Sequence, residues 1–370
     1  MPTVNEKLQN ESIAHSLFLS RYATGVAREM VKVLNETDSE LYARLLVELE
    51  KVNPNDVTVK MLRGKLKGVR EVNRQAILGT FETLTDELLA FAEHETDYQY
   101  TLFNTLLPDP ILKHLSIERV SAEQAYSAAI SKPFQGNLLS GWASNIEEDR
   151  LTRIINTVKA GFLAGDDIET IARKVRGTKA ANYKDGILES GRRNVTSVTK
   201  TAVNHLAAVA RNKMAQNNSD IIECKQWDST LDNKTSHWCI VRDGKRYTLD
   251  GQPIGHDIPY LGGPGRIHFC CRSTELLITK SWRELGIDMD ELDEGTRASM
   301  DGQVPAKLTY MEWLQKQSFY RQTQVLGIMR ARLLRDGGIT VSEMFTDNGE
   351  FISLKQLKEI DSRAFEATGL

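Results

Sequence analysis

The chain has 370 residues, enough for two or three compact domains that each bury a core. Hydrophobic residues at 41% and charged residues at 26% exclude global disorder, and a net charge of −3 excludes a protein whose whole surface attracts nucleic acid. Any such binding must be local.

No apolar run approaches the roughly 18 to 20 residues that a bilayer demands, and residues 1–10 lack the basic-then-apolar order of a signal peptide. The expected compartment is the cytoplasm, or a particle assembled there, without membrane contact. Cysteines begin reduced in such a place, so metal ligation and buried thiols take precedence over disulfides.

Taken in chain order, residues 10–52 have helical periodicity, with Ile13, Leu17, Val26, Met30 and Leu34 near one face. The segment 35–40 breaks the run, and Asn35, Thr37 and Ser39 are candidate caps for a second helix through Leu41, Leu45, Leu46 and Leu49. A longer helix follows from Val69, Ile77, Phe81, Leu84, Leu88 and Phe91, and Pro108-Asp-Pro110 punctuates the chain after it. Next comes a helix through Leu151, Ile154, Ile155, Val158 and Phe162, stopped at Gly165. Asp166 or Asp167 caps its successor through Ile168, Ile171 and Val175. A third helix of this group runs from Arg193 through Ala202, Leu206 and Val209 to Met214.

The pattern changes at Ile221. Residues 221–227 alternate and are rich in strand formers, Asp243-Gly244 is a hairpin signal, and five glycines and three prolines make residues 251–265 a loop. A returning strand is expected over 271–278. Helices resume at 310–317 and 322–334, the second ended by Gly337-Gly338. The fold class expected is α+β, predominantly helical, with a small antiparallel β-module near residues 221–280. Three regions follow: a helical 1–140, a 141–280 region in which helices precede the sheet, and a helical tail at 281–370.

All four cysteines, Cys224, Cys239, Cys270 and Cys271, fall in this β-module, together with His237, His256 and His268. Zinc takes about four thiolate or imidazole ligands in a tetrahedron. His268-x-x-Cys271 is spaced for a local pair on a turn, and Cys239 can supply a third ligand across the sheet. Two other readings compete: small buried side chains in a compact module, or a nucleophile at Cys239 or Cys271 with His268 as base. No metalloprotease, hydrolase-elbow, deaminase or P-loop motif is present, and Asp228, Asp232 and Asp243 fit turns better than acid–base roles. No catalytic residue is assigned.

The block Trp227-Asp-Ser-Thr-Leu-Asp232, Thr235-Ser236-x-x-Cys239, Asp243-Gly244, a Gly/Pro loop, then His268-x-x-Cys271-Arg272-Ser273 resembles the Mu protein F-like domain. That domain belongs to minor head, or head morphogenesis, proteins of tailed bacteriophages. The similarity spans about residues 150–280. Thr199-Lys-Thr-Ala-Val-Asn-His205 lies upstream of it, and Met300-Asp-Gly-Gln-Val-Pro305, Tyr310-x-x-Trp313-Leu314 and Gln324-Val-Leu-Gly327 are similar to tails in the family. The resemblance implies a non-enzymatic virion protein inside the capsid, with the portal and capsid or scaffold proteins as partners, assisting head assembly, genome packaging or DNA delivery.

Family members often read Cys-Arg-Cys where this chain has Cys271-Arg272-Ser273. A four-ligand zinc site therefore needs its fourth ligand from Cys224, Cys270, His237 or Asp232. A cysteine- and histidine-dependent hydrolase, a toxin-like enzyme and a cellular zinc-binding adaptor are the alternatives. Weak, salt-sensitive DNA contact is expected through Arg192, Arg193, Lys200, Arg211 and Lys213. The tail set Trp313, Leu314, Phe319, Tyr320, Val325 and Met329 either packs on the chain's own core or forms a groove-binding helix on a partner.

Overall fold

The computed structural model describes residues 4–54, 57–281, 283–285, 296–300, 302–305, 307–346 and 349–369. The class is α+β and mostly helical, with a small antiparallel sheet, as the sequence indicates. Its compact units are not contiguous in sequence. One comprises residues 1–20, 92–129 and 204–370, the other residues 21–91 and 130–203, so they cut across a division at 140 and 280. The boundary at 129/130 meets the end of a short helix, and the other three fall inside long helices.

Those helices are α1 (Val4–Glu36), α4 (Lys67–Leu106) and α9 (Leu188–Asn217); α2 (Asp38–Leu49) and α3 (Val59–Lys65) lie between the first two in sequence. Next come α5 (Asp109–His114), α6 (Ala122–Ile130), α7 (Leu139–Ala164) and α8 (Ile168–Arg176). Among the described residues no helix is long and apolar enough to cross a membrane.

Among its described residues, the unit made of 21–91 and 130–203 has helices as its only named elements, with one isolated bridge between Phe134 and Asn137. Leu41, Leu45 and Leu49 of α2 bury against Ile154, Ile155 and Val158 of α7 and Ile171 and Val175 of α8, the residues that the periodicity marks. Two of the expected boundary signals hold: Gly165 closes α7 in the left-handed region at φ 78°, and the Asp167 carboxylate caps α8 by accepting the Thr170 N–H at 2.6 Å. The expected caps of α2 do otherwise. Thr37 Oγ1 donates back to the Leu34 carbonyl at 2.8 Å, and Asn35 Oδ1 accepts from Arg192 Nε at 2.6 Å. What stands at the start of α2 is Asp38, a buried carboxylate gripped by Arg150 and Arg192. Glu48 likewise reaches across to accept the N–H groups of Gly68 and Val69 at 2.8 and 3.1 Å, capping α4 from a distance in sequence.

The other unit holds the sheet. Its strands β1 (Ile222–Asp228), β2 (Arg246–Tyr247), β3 (Pro253–Ile254) and β4 (Thr274–Thr279) lie in the order β3-β2-β1-β4, all antiparallel. Register is fixed by Lys225 opposite Leu277 and Trp227 opposite Glu275, with an irregularity between Ile222 and Cys224. Leu276, Leu277 and Ile278 bury with Leu8, Leu102, Phe103 and Met214. Asp243-Gly244 is not a hairpin tip joining two strands. The chain enters it from a single helical turn, α10 (His237–Ile240), and Gly244 at φ 75° bends it into β2.

The tail is helical only in part. A hairpin, β5 (Thr296–Ser299) and β6 (Gly302–Pro305), precedes α11 (Tyr310–Gln315), although Asp301 of the similar stretch lies outside the described residues. The helix expected over 322–334 is two, α12 (Phe319–Leu326) and α13 (Ile328–Arg335), because Gly327 at φ 77° and ψ 158° leaves helical geometry between them. Beyond lie a 3-10 turn (Ser342–Met344), α14 (Leu354–Ile360) and α15 (Ser362–Thr368). Trp313, Leu314, Leu326, Leu333 and Phe365 pack with Leu231, Ile240 and Val241 of the β-module, so the tail closes over its own unit's core.

Candidate metal centre

Cys239 sits on α10, whose first turn follows Ser236 and whose end is pinned by Ser229 Oγ donating to the Cys239 carbonyl at 2.9 Å. His268 and Cys271 arrive from the far end of the glycine-rich excursion. Gly262, Gly263 and Gly265 all have positive φ there, and a Cβ at Gly265 would lie 3.1 Å from the Asn204 carbonyl oxygen. That crowding and that geometry are what reserve the position for glycine.

The three side chains converge. Cys239 Sγ is 3.4 Å from His268 Nε2 and 3.6 Å from Cys271 Sγ, and all three ligand atoms lie within 4.8 Å of one another, close enough to hold a metal ion. His268 Nδ1 is 3.0 Å from the Phe269 carbonyl, its natural N–H acceptor, which turns the Nε2 lone pair toward the sulfurs. Metal-bound imidazoles are held in the same way, by donating the other ring N–H to a carbonyl. Trp227 and Tyr247 bury with the two cysteines, and Tyr260 and Ile267 pack on the group.

The electrostatics make the two thiols unequal. Cys239 is pushed well above the ordinary thiol range, first by its hydrogen bond with Cys271 and then by burial. Cys271 is lowered, first by the same bond and then, against burial, by the N–H groups of Gly265 and Ser273 and the Ser273 hydroxyl. Burial would lower His268, but its contact with Cys239 outweighs that and raises it. The two sulfurs are only 1% and 0% exposed.

None of the four candidate fourth ligands joins this group. Cys224 is on β1, buried among Leu102, Phe103 and Leu277, where desolvation pushes its thiol up to about 11. Cys270 is exposed, at φ 56°, beside an exposed Phe269. His237 packs its ring against Trp238 and Phe351. Asp232 receives both arms of Arg272, at 2.6 and 2.9 Å, and the Lys234 N–H at 2.9 Å. No disulfide joins the cysteines.

Residues outside the candidate ligand set complete the setting. Ser236 Oγ lies 2.8 Å from His268 Nε2, and Ser273 stands over the Cys271 sulfur where the resemblance leads one to expect a third thiolate. Arg242 is buried, donates to the carbonyls of Pro259 and Trp238 at 2.8 and 2.7 Å, and lies over the rings of Trp227 and Trp238. Ser236 and Ser273 carried a signal, as members of the motif block, and Arg242 carried none.

The cations proposed for DNA divide. Arg192 is buried against Asp38, and Arg211 is buried near Glu95, so neither presents its charge to a duplex. Arg193 is exposed; Lys200 and Lys213 are half-buried. No protein-family model, curated protein or solved structure matches the chain.

Proposed function

We propose that this chain is a minor head protein of a tailed phage, a structural component assembled with the portal and capsid or scaffold proteins, and that Cys239, His268 and Cys271 hold a zinc ion as a clamp. The observation that carries the reading is the convergence of these three residues, because it unites the two ends of the motif block on which the resemblance rests. A tetrahedral zinc with bonds of about 2.3 Å to sulfur and about 2.0 Å to nitrogen separates two sulfurs by about 3.8 Å and sulfur from nitrogen by about 3.5 Å. The separations of 3.6 and 3.4 Å fit that ion with little rearrangement. The fourth position then falls to solvent or to the Ser236 hydroxyl.

In this role the clamp fastens the turn leading into β4 to the α10 turn, so the long excursion between them is closed by ligation. A hydrolase with a cysteine nucleophile has less support, since both sulfurs are buried and a reactive thiolate must be reached by its substrate. Co-purification tests the assembly role: the full chain expressed with its procapsid components should sediment with heads that contain the portal, and less with heads lacking it. A chain that stays soluble and unassociated in both cases would end the proposal, whatever its metal content.

A further inference from the structure

The helical unit formed by 21–91 and 130–203 contains a cavity of about 450 Å³ between the start of α2, the loop after α8 and the first turns of α9. Small-molecule sites span about 300–1,000 Å³. The loop is a built object. Thr178 donates its N–H and hydroxyl to Asp185 at 2.8 and 2.7 Å, and Gly186 lies so close to Gly177 that a Cβ there would come within 2.3 Å of the Gly177 nitrogen. At its crest Asn182 and Tyr183 are both left-handed, with φ 51° and 60°. Consecutive non-glycine residues in that region are strained, and such strain is kept where the surrounding structure enforces it, commonly at ligand sites.

What the crest does is orient a cation. The Arg176 guanidinium lies over the Tyr183 ring at 4.9 Å and over the Tyr42 ring at 5.1 Å, and its hydrogen-bond partner is Ser39 Oγ at 3.2 Å. Held flat by two rings, it spends little entropy to present its fork to an anion. Lys184 and Arg193 complete the mouth, both exposed. The cavity's two carboxylates are already engaged: Asp38 with Arg150 and Arg192, Glu189 with Arg192 at 3.3 Å. Those two acids and the two arginines balance in charge, which leaves the three rim cations Arg176, Lys184 and Arg193 as the surplus.

We infer that this cavity binds a phosphate group, received by Arg176, Lys184 and Arg193. Three cations that pair with no acid among the described residues can surround an oxyanion bearing two charges and several acceptors, a better match than a single carboxylate. The inference is independent of the head-protein reading and of the metal centre. The phosphate can come from a nucleic-acid backbone or from a small phosphate compound, and the test separates these sources.

At low salt the full chain is titrated with inorganic phosphate, with acetate, and with a labelled short single-stranded oligonucleotide. Phosphate should bind and acetate should not. Lys184→Gln and Arg193→Gln, both at exposed positions, should each weaken binding about tenfold, the loss expected for one charge-assisted bond. Arg176→Lys, which keeps the charge but loses the planar stack, should weaken it less than Arg176→Gln. An oligonucleotide that binds more tightly than phosphate and yields to the same substitutions identifies a nucleic acid as the source; equal or weaker binding identifies a small phosphate. Absence of phosphate binding, equal binding of acetate, or an equal loss in Lys60→Gln, an exposed cation of the same unit outside the cavity, would overturn the inference.

Discussion

Asp243 holds two separate backbone segments with one carboxylate, accepting the Ser229 N–H and the Tyr310 N–H, each at 2.7 Å. Both bonds are buried, so Asp243→Ala strands two amide donors that water cannot reach. The expected loss is about 2–5 kcal/mol in urea unfolding, with Asp243→Asn losing less because one acceptor oxygen remains. Equal stability of all three proteins would show that the carboxylate does not hold α11. Asp232 makes a pH-dependent contribution. Burial alone would raise its pKa, but the Arg272 fork and the Lys234 N–H outweigh burial and hold it below the ordinary value. A depressed carboxylate contributes fully above its unfolded pKa of about 3.9 and loses that contribution as pH falls through the lower folded value. Wild type should therefore exceed Asp232→Asn in stability at neutral pH and converge with it in acid; a constant difference across that range would contradict the pairing. At this scale the sequence revealed Cys239, His268 and Cys271, because their types and spacing are chemical. It did not reveal Arg242 or the Asp38 pairs, whose roles depend on partners far away in the chain.

Glycines separate the elements that depend on backbone freedom from those that merely tolerate it. Gly79 lies inside α4, where an added methyl would meet nothing within 4 Å, whereas Gly265 has φ 82° and a carbonyl 3.1 Å from the place a methyl would take. Gly79→Ala should stabilise the protein by about 0.5–1 kcal/mol through helix propensity. Gly265→Ala should destabilise it by more than that amount and, by displacing the turn that carries Cys271, weaken metal retention. Paired thermal melts decide the matter, and two shifts of the same sign would be the contrary result. Helices α4, α7 and α9 were legible because each buries one apolar stripe at helical spacing. Boundaries were less so: Gly327 looks like a tolerated helical glycine until its ψ is known, and Asp243-Gly244 has the residues of a hairpin turn without the preceding strand.

At the level of the whole molecule, the tail helices bury Trp313, Leu314 and Leu333 with Leu231, Ile240 and Val241, although Tyr320, 72% exposed, and Met329 remain on the surface. Truncation after Lys280 removes one side of that core. The shortened chain should aggregate or lose its cooperative melt; a soluble, cooperatively melting fragment would mean that the tail is an independent docking element. Sequence order could not reveal the two compact units, because each is assembled from segments separated by long stretches of the other. Periodicity reports which face of a helix is buried, not which distant helix buries it.

The claim at the centre is that Cys239, His268 and Cys271 form one metal-holding knot, and elemental analysis of the full chain, purified without a metal-charged resin, tests it most directly. About one zinc per chain is predicted, lost in Cys271→Ser but kept in Cys224→Ala, with a lower melting temperature after chelation. A chain free of transition metal whose melting is unchanged by chelator would contradict the account.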